Sequence, residues 1–384
     1  MMASSSSSQR SWSLSSLPLD LIEEIFYRAP AESLLRSKPT CKKWCDLIKN
    51  KRFIYEHLRR FPEQRRFLRI DETVQIMDPV TRTRKETPIP HELQPLDNIR
   101  AMVHCDGLML CEWSDMESRT VQLALWNPLT RHIASIKPST RFRTSDYYGI
   151  GYGVNKYRDG YKILRFSDLE GDFEIYNCET SSWRTLYDIA MADDDWLVDF
   201  TCHGVAVMGN MYWLAHRVVH EDEEVESFIL GFDFTTEAFM DVCFVPPYDD
   251  EDNYLSCFDG DRLSLLLQDE EEPSIIDVWV SSKLADYVSF TRYFRVVNPE
   301  LPRLRFSRYR ASDPVYYIAK NKRIVAWCEG VVADGDRLPV CIILYEIDER
   351  GVSDQRETER HYENDYAGTM LCGYVYVPSL VPLP

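Results

Sequence analysis

From about residue 67 onward, one feature limits the fold more than any other. A unit of strand, Gly-containing turn, strand, acidic loop, strand, Thr/Ser turn and strand recurs down the chain. One copy runs from Gly204 through Gly209-Asn210 to Leu214, then from Phe228 through Thr235-Thr236-Glu237 to Phe239. Its Gly-Asn and Thr-Thr-Glu pieces are turn chemistry between apolar runs. Other copies set Asp106-Gly107 before Asn127-Pro128-Leu129-Thr130, Asp159-Gly160 before Asn177-Cys178-Glu179-Thr180, and Asp259-Gly260 before Ser281-Ser282. Asn321-Lys322 before Asp348 is the faintest. Second turns at Thr81, Thr130, Thr180, Thr236, Ser282 and Asp348 stand 49, 50, 56, 46 and 66 apart. Those intervals approach the roughly 40–50 residues of a propeller blade. The expectation is a mainly β fold with six blades, in which Met370–Val377 completes a first blade begun by Ile70–Met77 and so hides the sheet edges.

The amino-terminal part follows a different period. From Leu17 to Leu58 apolar residues recur at helical spacing, with Leu21, Ile22, Ile25, Phe26 and Ala29 on one stripe between Pro18 and Pro30. Leu34-Leu35 mark a second helix, Thr40 is placed to cap a third through Cys41, Trp44, Leu47 and Ile48, and Phe53, Ile54 and Leu58 continue onto a further turn. Some forty residues of helix bury too little to stand easily alone, so this surface needs either a partner or the main domain beneath it. Charge divides at the same place. Residues 1–66 carry 13 Lys+Arg and 7 Asp+Glu, leaving 31 and 55 for the rest of a chain of net charge −18.

Several function classes fall away on composition. No apolar run approaches the roughly 18 residues of a membrane span, and Met1–Trp12 is a serine tract expected to be disordered. The eleven cysteines form no C-x-x-C pair, and no N-x-[ST] sequon occurs, so a reducing cytoplasmic or nuclear compartment is expected. The acidic balance argues against nucleic acid, which demands clustered Lys and Arg. Nucleophile elbow, phosphate loop and dinucleotide fingerprint are absent, and Gly149, Gly151 and Gly153 fall on an expected strand. His216 and His220 share the spacing of helical metal ligands, but their segment reads as a strand. In Cys202-His203 and His104-Cys105, neighbouring strand residues point to opposite faces. The chain is therefore read as a non-enzyme without cofactor or metal.

Leu17-Pro18-Leu19-Asp20-Leu21-Ile22-Glu23-Glu24-Ile25-Phe26 through Leu34-Leu35, then Cys41-Lys42-Lys43-Trp44 and Leu47-Ile48, resembles the F-box. By position Leu17, Pro18, Ile25, Leu34, Leu35, Cys41, Trp44, Leu47 and Ile48 match its apolar set, which the family divides between adaptor contact and module core. Ala29 stands where leucine is usual, and Pro39-Thr40 where a small residue and valine are common. His104-Cys105-Asp106-Gly107-Leu108, Trp126-Asn127-Pro128-Leu129-Thr130, Gly209-Asn210-Met211-Tyr212-Trp213 and Ile276-Asp277-Val278-Trp279-Val280 resemble the F-box-associated, kelch-like domain of plant F-box proteins. The resemblance implies a module of 13–62 and a six-bladed kelch-like β-propeller over 67–384. It further implies a substrate-recognition subunit of an SCF-type ubiquitin ligase, holding a Skp-type adaptor, and through it a cullin, at one end and a protein substrate at the other. A scaffold with a degenerate F-box is the alternative.

In a propeller blade the loops between second and third strands share a face with the blade-to-blade connections. The sequence puts there Asp168 to Asp172, Glu221, Asp222, Glu223, Glu224 and Glu226, and Asp269, Glu270, Glu271 and Glu272. Arg141, Arg143, Arg303, Arg305, Arg308 and Arg310 oppose them. Charged loops of this kind are usually just solvated; the sharper expectation is a face that captures a partner of complementary charge.

Overall fold

The computed structural model describes residues 17–60, 65–70, 73–93, 99–115, 120–143, 146–153, 160–167, 172–187, 196–198, 204–219, 224–242, 251–269, 272–284, 288–305, 314–331, 340–361 and 372–384. The helical part has four helices, α1 (Leu19–Tyr27), α2 (Ala31–Ser37), α3 (Lys42–Ile48) and α4 (Lys51–Arg60). Pro18 and Pro30 stand at the N-caps of α1 and α2 with φ of −55°, where a fixed φ and a missing N–H cost nothing. Thr40 is not a cap: extended Cys41 occupies the N-cap of α3 and makes no side-chain capping bond. Phe26 meets Trp44 edge-on at 5.1 Å and Tyr27 stacks on Phe53 at 5.0 Å, which closes the small bundle.

The expected single stripe on α1 is two faces. Ile22, Phe26 and Tyr27 are buried, whereas Leu19, Leu21 and Ile25 turn outward at 51%, 52% and 43% exposure. Neighbouring helical positions such as Leu21 and Ile22 are about 100° apart, so a run this apolar cannot bury all its residues in one direction.

Apart from a single 3-10 turn at His91–Leu93, the regular elements described after Arg65 are strands. These are β1 (Arg66–Ile70), β2 (Thr73–Asp78), β3 (Thr83–Pro88), β4 (Ile99–Cys105), β5 (Leu108–Asp115), β6 (Thr120–Asn127), β7 (His132–Ile136), β8 (Tyr147–Tyr152), β9 (Tyr161–Ser167), β10 (Asp172–Asn177) and β11 (Ser182–Thr185). They continue as β12 (Trp196–Val198), β13 (Val205–Val207), β14 (Asn210–Val219), β15 (Glu224–Asp233), β16 (Ala238–Asp241), β17 (Glu251–Phe258), β18 (Arg262–Asp269), β19 (Ile275–Ser281) and β20 (Phe290–Val297). The last are β21 (Val315–Ala319), β22 (Arg323–Val331), β23 (Val340–Asp348), β24 (Gly351–His361) and β25 (Cys372–Tyr376).

The expectation of six separate kelch-like blades is overturned by the pairing. Among the described residues four blades are discrete and four-stranded: β25-β1-β2-β3, β8–β11, β17–β20 and β21–β24. The rest of the propeller is one nine-stranded sheet, in which β4–β7 and β13–β16 are joined and β12 is added on β14. Counting turn intervals assumes that each copy keeps an intact inner strand of its own. Here β12 and β13 pair successive parts of β14, and β13 then bridges β4 in parallel through Val205 and His104. Gly151 is one reason the chain can crowd here. A Cβ on it would collide with the Gly209 carbonyl oxygen and the Phe234 ring, and the Tyr152 N–H beside it donates to that same Gly209 oxygen at 3.1 Å.

The turns follow two rules. Asp106-Gly107, Met208-Gly209 and Asp259-Gly260 have positive φ at both residues, the requirement of the tight hairpin turn whose twist matches the strands. At the other recurring turn the side chain that ends the strand accepts backbone N–H groups. Asp78 Oδ1 accepts from Val80 and Thr81, Asn127 Oδ1 from Leu129 and Thr130, Asn177 Oδ1 from Glu179 and Thr180, and Asp348 Oδ1 from Arg350. Asp348 is therefore equivalent to Asp78, not to Thr81, so the 66-residue interval that ends on it does not join matching turn positions.

β25 pairs β1 across five residues, from Arg66 with Tyr376 to Ile70 with Cys372, so the last strand completes the sheet the first one begins. The helices are not an independent body. Ile22, Ala31, Leu34, Phe53 and Ile54 share one buried cluster with Val103, Leu110, Ile150, Phe166, Trp213 and Val381.

Candidate functional site

Three places in this fold have the means to act on another molecule: the outward face of α1, the strand ends farthest from the helices, and the cavity between inner strands. On α1, Leu21 and Ile25, one turn apart, form an apolar strip in water with Pro18 exposed at its start; Leu19 is exposed on another side of the helix and Leu17 is half-buried. Single exposed leucines are ordinary on a surface, but a strip on a helix whose other face is fully buried is unpartnered apolar area. Of the nine F-box positions, Leu34, Trp44 and Ile48 are buried within the bundle, and Leu35, Cys41 and Leu47 are half-buried. These six are module core or its margin; Pro18 and Ile25 face out, and Leu17 is half-buried against the same cluster.

The module is fixed by polar contacts as well as packing. Glu56 accepts from Arg59 and Arg60, each at 2.6 Å, and Arg60 reaches Glu24 at 3.0 Å. The Arg59 guanidinium hydrogen-bonded to Glu56 holds its carboxyl down at about 2. Buried His57 donates from Nε2 to the Ala29 carbonyl at 2.8 Å, and burial pushes its pKa below the ordinary value. The small residue at 29 thus sits where a helix end is tied to α4.

Leu58 and Arg59 of α4 help line a cavity of about 490 Å³. Its walls come from inner strands and the hairpin turns Asp106-Gly107, Met208-Gly209 and Asp259-Gly260. His104 lines it and accepts the Gly107 N–H on Nε2 at 3.0 Å; burial drives its pKa down to about 4, so it is neutral with its proton on Nδ1. Cys105 beside it is buried. A neutral acceptor used up by a turn is a structural group, and among the described residues no three His, Cys, Asp or Glu are grouped to hold a metal ion. His216 Nδ1 pairs with Ser227 Oγ at 3.0 Å on adjacent strands. His220, Cys202 and His203 lie outside the described residues. No helix among the described residues is long and apolar enough to cross a membrane.

The helices sit at the hairpin-turn end of the strands. In the β17–β18 pair, for example, Phe258 and Arg262 lie at that end and Glu251 and Asp269 at the other. Of the acidic and basic residues expected to form a partner face, Glu221, Asp222, Glu223, Glu270, Glu271, Arg308, Arg310 and 168–171 lie outside the described residues. Glu224 opens β15 opposite Val219, Asp269 Oδ1 accepts the Glu272 N–H at 2.9 Å, Arg303 is exposed and Arg305 half-buried.

Charges expected to stand apart are in places paired with each other. Arg141 meets Asp172 at 3.1 Å, and Arg217 binds Glu226 at 2.7 Å and Asp241 at 2.8 Å. Beneath Asp172 lies a group the sequence reading missed. Fully buried Arg165 donates to Asp146 at 2.8 Å, Asp172 at 2.6 Å and Glu174 at 2.8 Å, and Ser139 donates to Glu174. Burial raises the Asp146 pKa against the pull of that guanidinium. Its signal was available as an arginine inside the apolar run Tyr161–Phe166.

Residues 14–56 match the model of the F-box domain, and residues 59–383 match that of the F-box associated beta propeller domain. "Putative F-box only protein 15" of Arabidopsis thaliana is 47% identical over 385 residues, covering 96% of this chain and 97% of its own. "F-box/WD-40 repeat-containing protein 1" of the same plant is 39% identical, covering 96% and 89%. A solved structure described as "Structure of YjhT" overlaps 68% of this chain and 94% of its own at 11% identity and a TM-score of 0.34, too remote to carry an argument.

Proposed function

This chain belongs to the F-box proteins that carry an F-box-associated β-propeller, a family of adaptors rather than catalysts, and we propose that it is the substrate-recognition subunit of an SCF-type ubiquitin ligase. In this reading the outward strip of α1 and the adjoining Leu17 and Pro18 bind a Skp-type adaptor, the adaptor joins a cullin scaffold, and the far end of the strands holds a protein substrate in the cytoplasm or nucleus. The observation that carries it is the division of α1 into a buried face and an apolar exposed one. Its contribution to ubiquitin transfer is proximity: two proteins held on one scaffold meet at an effective concentration far above that in solution.

The reading is tested by capture of a purified Skp-type adaptor on the full chain. Wild type retains the adaptor, and the Leu17→Ala/Pro18→Ala pair, or Ile25→Asp alone, lowers retention by roughly tenfold or more, as loss of a buried anchor does. A wild-type chain that captures no adaptor refutes the ligase reading and leaves a scaffold with a degenerate F-box. Capture that is unaffected by these substitutions refutes the α1 assignment.

A further inference from the structure

We propose that residues 377–383, the segment that follows β25, form a strap that fixes the helical module on the sheets and so sets the distance between the α1 strip and the far strand ends. The segment has no strand partner, yet Ser379 and Val381 are as buried as the core. On the sheet side its bonds are specific. Asn127 Nδ2 donates to the carbonyl oxygens of Ser379 at 3.2 Å and Val381 at 2.8 Å, and Ser379 Oγ donates to the Asp106 carbonyl at 2.6 Å. Gly107 makes room: with φ of +83°, it approaches so closely that a Cβ would stand 2.8 Å from the Val377 oxygen and nearer still to Ser379.

On the helix side, Leu380 and Val381 belong to the cluster that holds Ile22, Ala31, Leu34, Phe53 and Ile54, and half-buried Leu383 packs against it. Glu32 of α2 lies close enough to Tyr376, the residue that ends β25, to act on its ionisation. Tyr55 of α4 does the same to Tyr161, whose hydroxyl binds Asp106 at 3.1 Å. The strap thus continues the strand that completes the first sheet, crosses the Asp106-Gly107 turn and ends beneath the helices. Pairing of β25 with β1 and docking of the module are two ends of one segment. The bearing on substrate presentation rests on the adaptor reading; the contact itself does not.

Hydrogen–deuterium exchange of the full chain tests the strap. Asn127→Asp keeps the Oδ1 that accepts the Leu129 and Thr130 N–H groups but removes both donors to the strap. Val381→Ala trims the strap outside any strand. Each variant is expected to lower amide protection in α2 and α4 by about tenfold or more while β17–β23 keep theirs, because only the local docking free energy is removed. Faster exchange in 377–383 with α2 and α4 protected as in wild type overturns the proposal. If Asn127→Asp loses protection throughout, Val381→Ala alone decides. Adaptor capture by both variants should match wild type, because the α1 strip is untouched; a wild type that binds no adaptor would end the ligase reading and leave the exchange result standing.

Discussion

At the scale of single residues, stability at the far strand ends depends on Arg165. It brings one buried positive charge to Asp146, Asp172 and Glu174, and half-exposed Arg141 adds a second charge to Asp172 from outside. Removing it leaves carboxylates without their counter-charge in a dry place, so Arg165→Leu is expected to cost about 3–5 kcal/mol in urea unfolding. A loss below 1 kcal/mol would mean that the carboxylates simply take up protons. His104 sets a pH dependence whose sign follows from its burial. Its folded pKa, near 4, lies below the ordinary 6.5, so its contribution is complete above about pH 6.5 and declines as pH falls toward 4. Between pH 7 and 5 it alone should remove roughly 2 kcal/mol. His57, also pushed down by burial, acts in the same direction. His104→Gln, which can still accept the Gly107 N–H, should flatten the profile over that interval; an unchanged slope would assign the effect elsewhere.

At the scale of elements, α1 separates two roles that one apolar pattern hides. Ile22 is buried and Leu21 is not, so Ile22→Ala should cost about 2–5 kcal/mol, while Leu21→Asp should shift stability by no more than about 0.5 kcal/mol and abolish adaptor capture. Thermal melts beside the capture assay check both, and equal destabilisation by the two would deny that α1 has two faces. The same element marks how far sequence reaches. Helical period located α1, but which apolar residues turn inward depends on where α4 and the sheets lie, and no local pattern holds that. The Thr-containing turns were legible because Asp or Asn at a strand end bonds its own backbone within a few residues. The joining of β13 to β4 was not, because Val205 pairs with His104, a hundred residues away. The pairing of Arg141 with Asp172 and of Arg217 with Glu226 was hidden for the same reason: each partner comes from another part of the sheet.

At the scale of the whole molecule, the helices and sheets share a core, and this has a consequence for how the chain unfolds. Trp44 lies in the helical bundle; Trp213 and Trp196 lie among the strands; all three belong to the same buried cluster. A bundle this small buries too little to remain folded once the sheets have gone. Heat or urea should therefore remove helix and sheet together, with far-ultraviolet ellipticity and tryptophan fluorescence tracing one coincident transition. The sheet system has its own weak point at β25, whose five pairs with β1 cover an edge that includes fully buried Phe67 and Leu68. Deleting 372–384 uncovers that edge and takes the strap with it, so the shortened chain should appear in the aggregated fraction on size exclusion, not as a monomer with a looser module. A soluble, monomeric deletion variant that retains the full melting transition would show that the strand pairing and the shared core are dispensable, and with them the view of this protein as a single cooperative body.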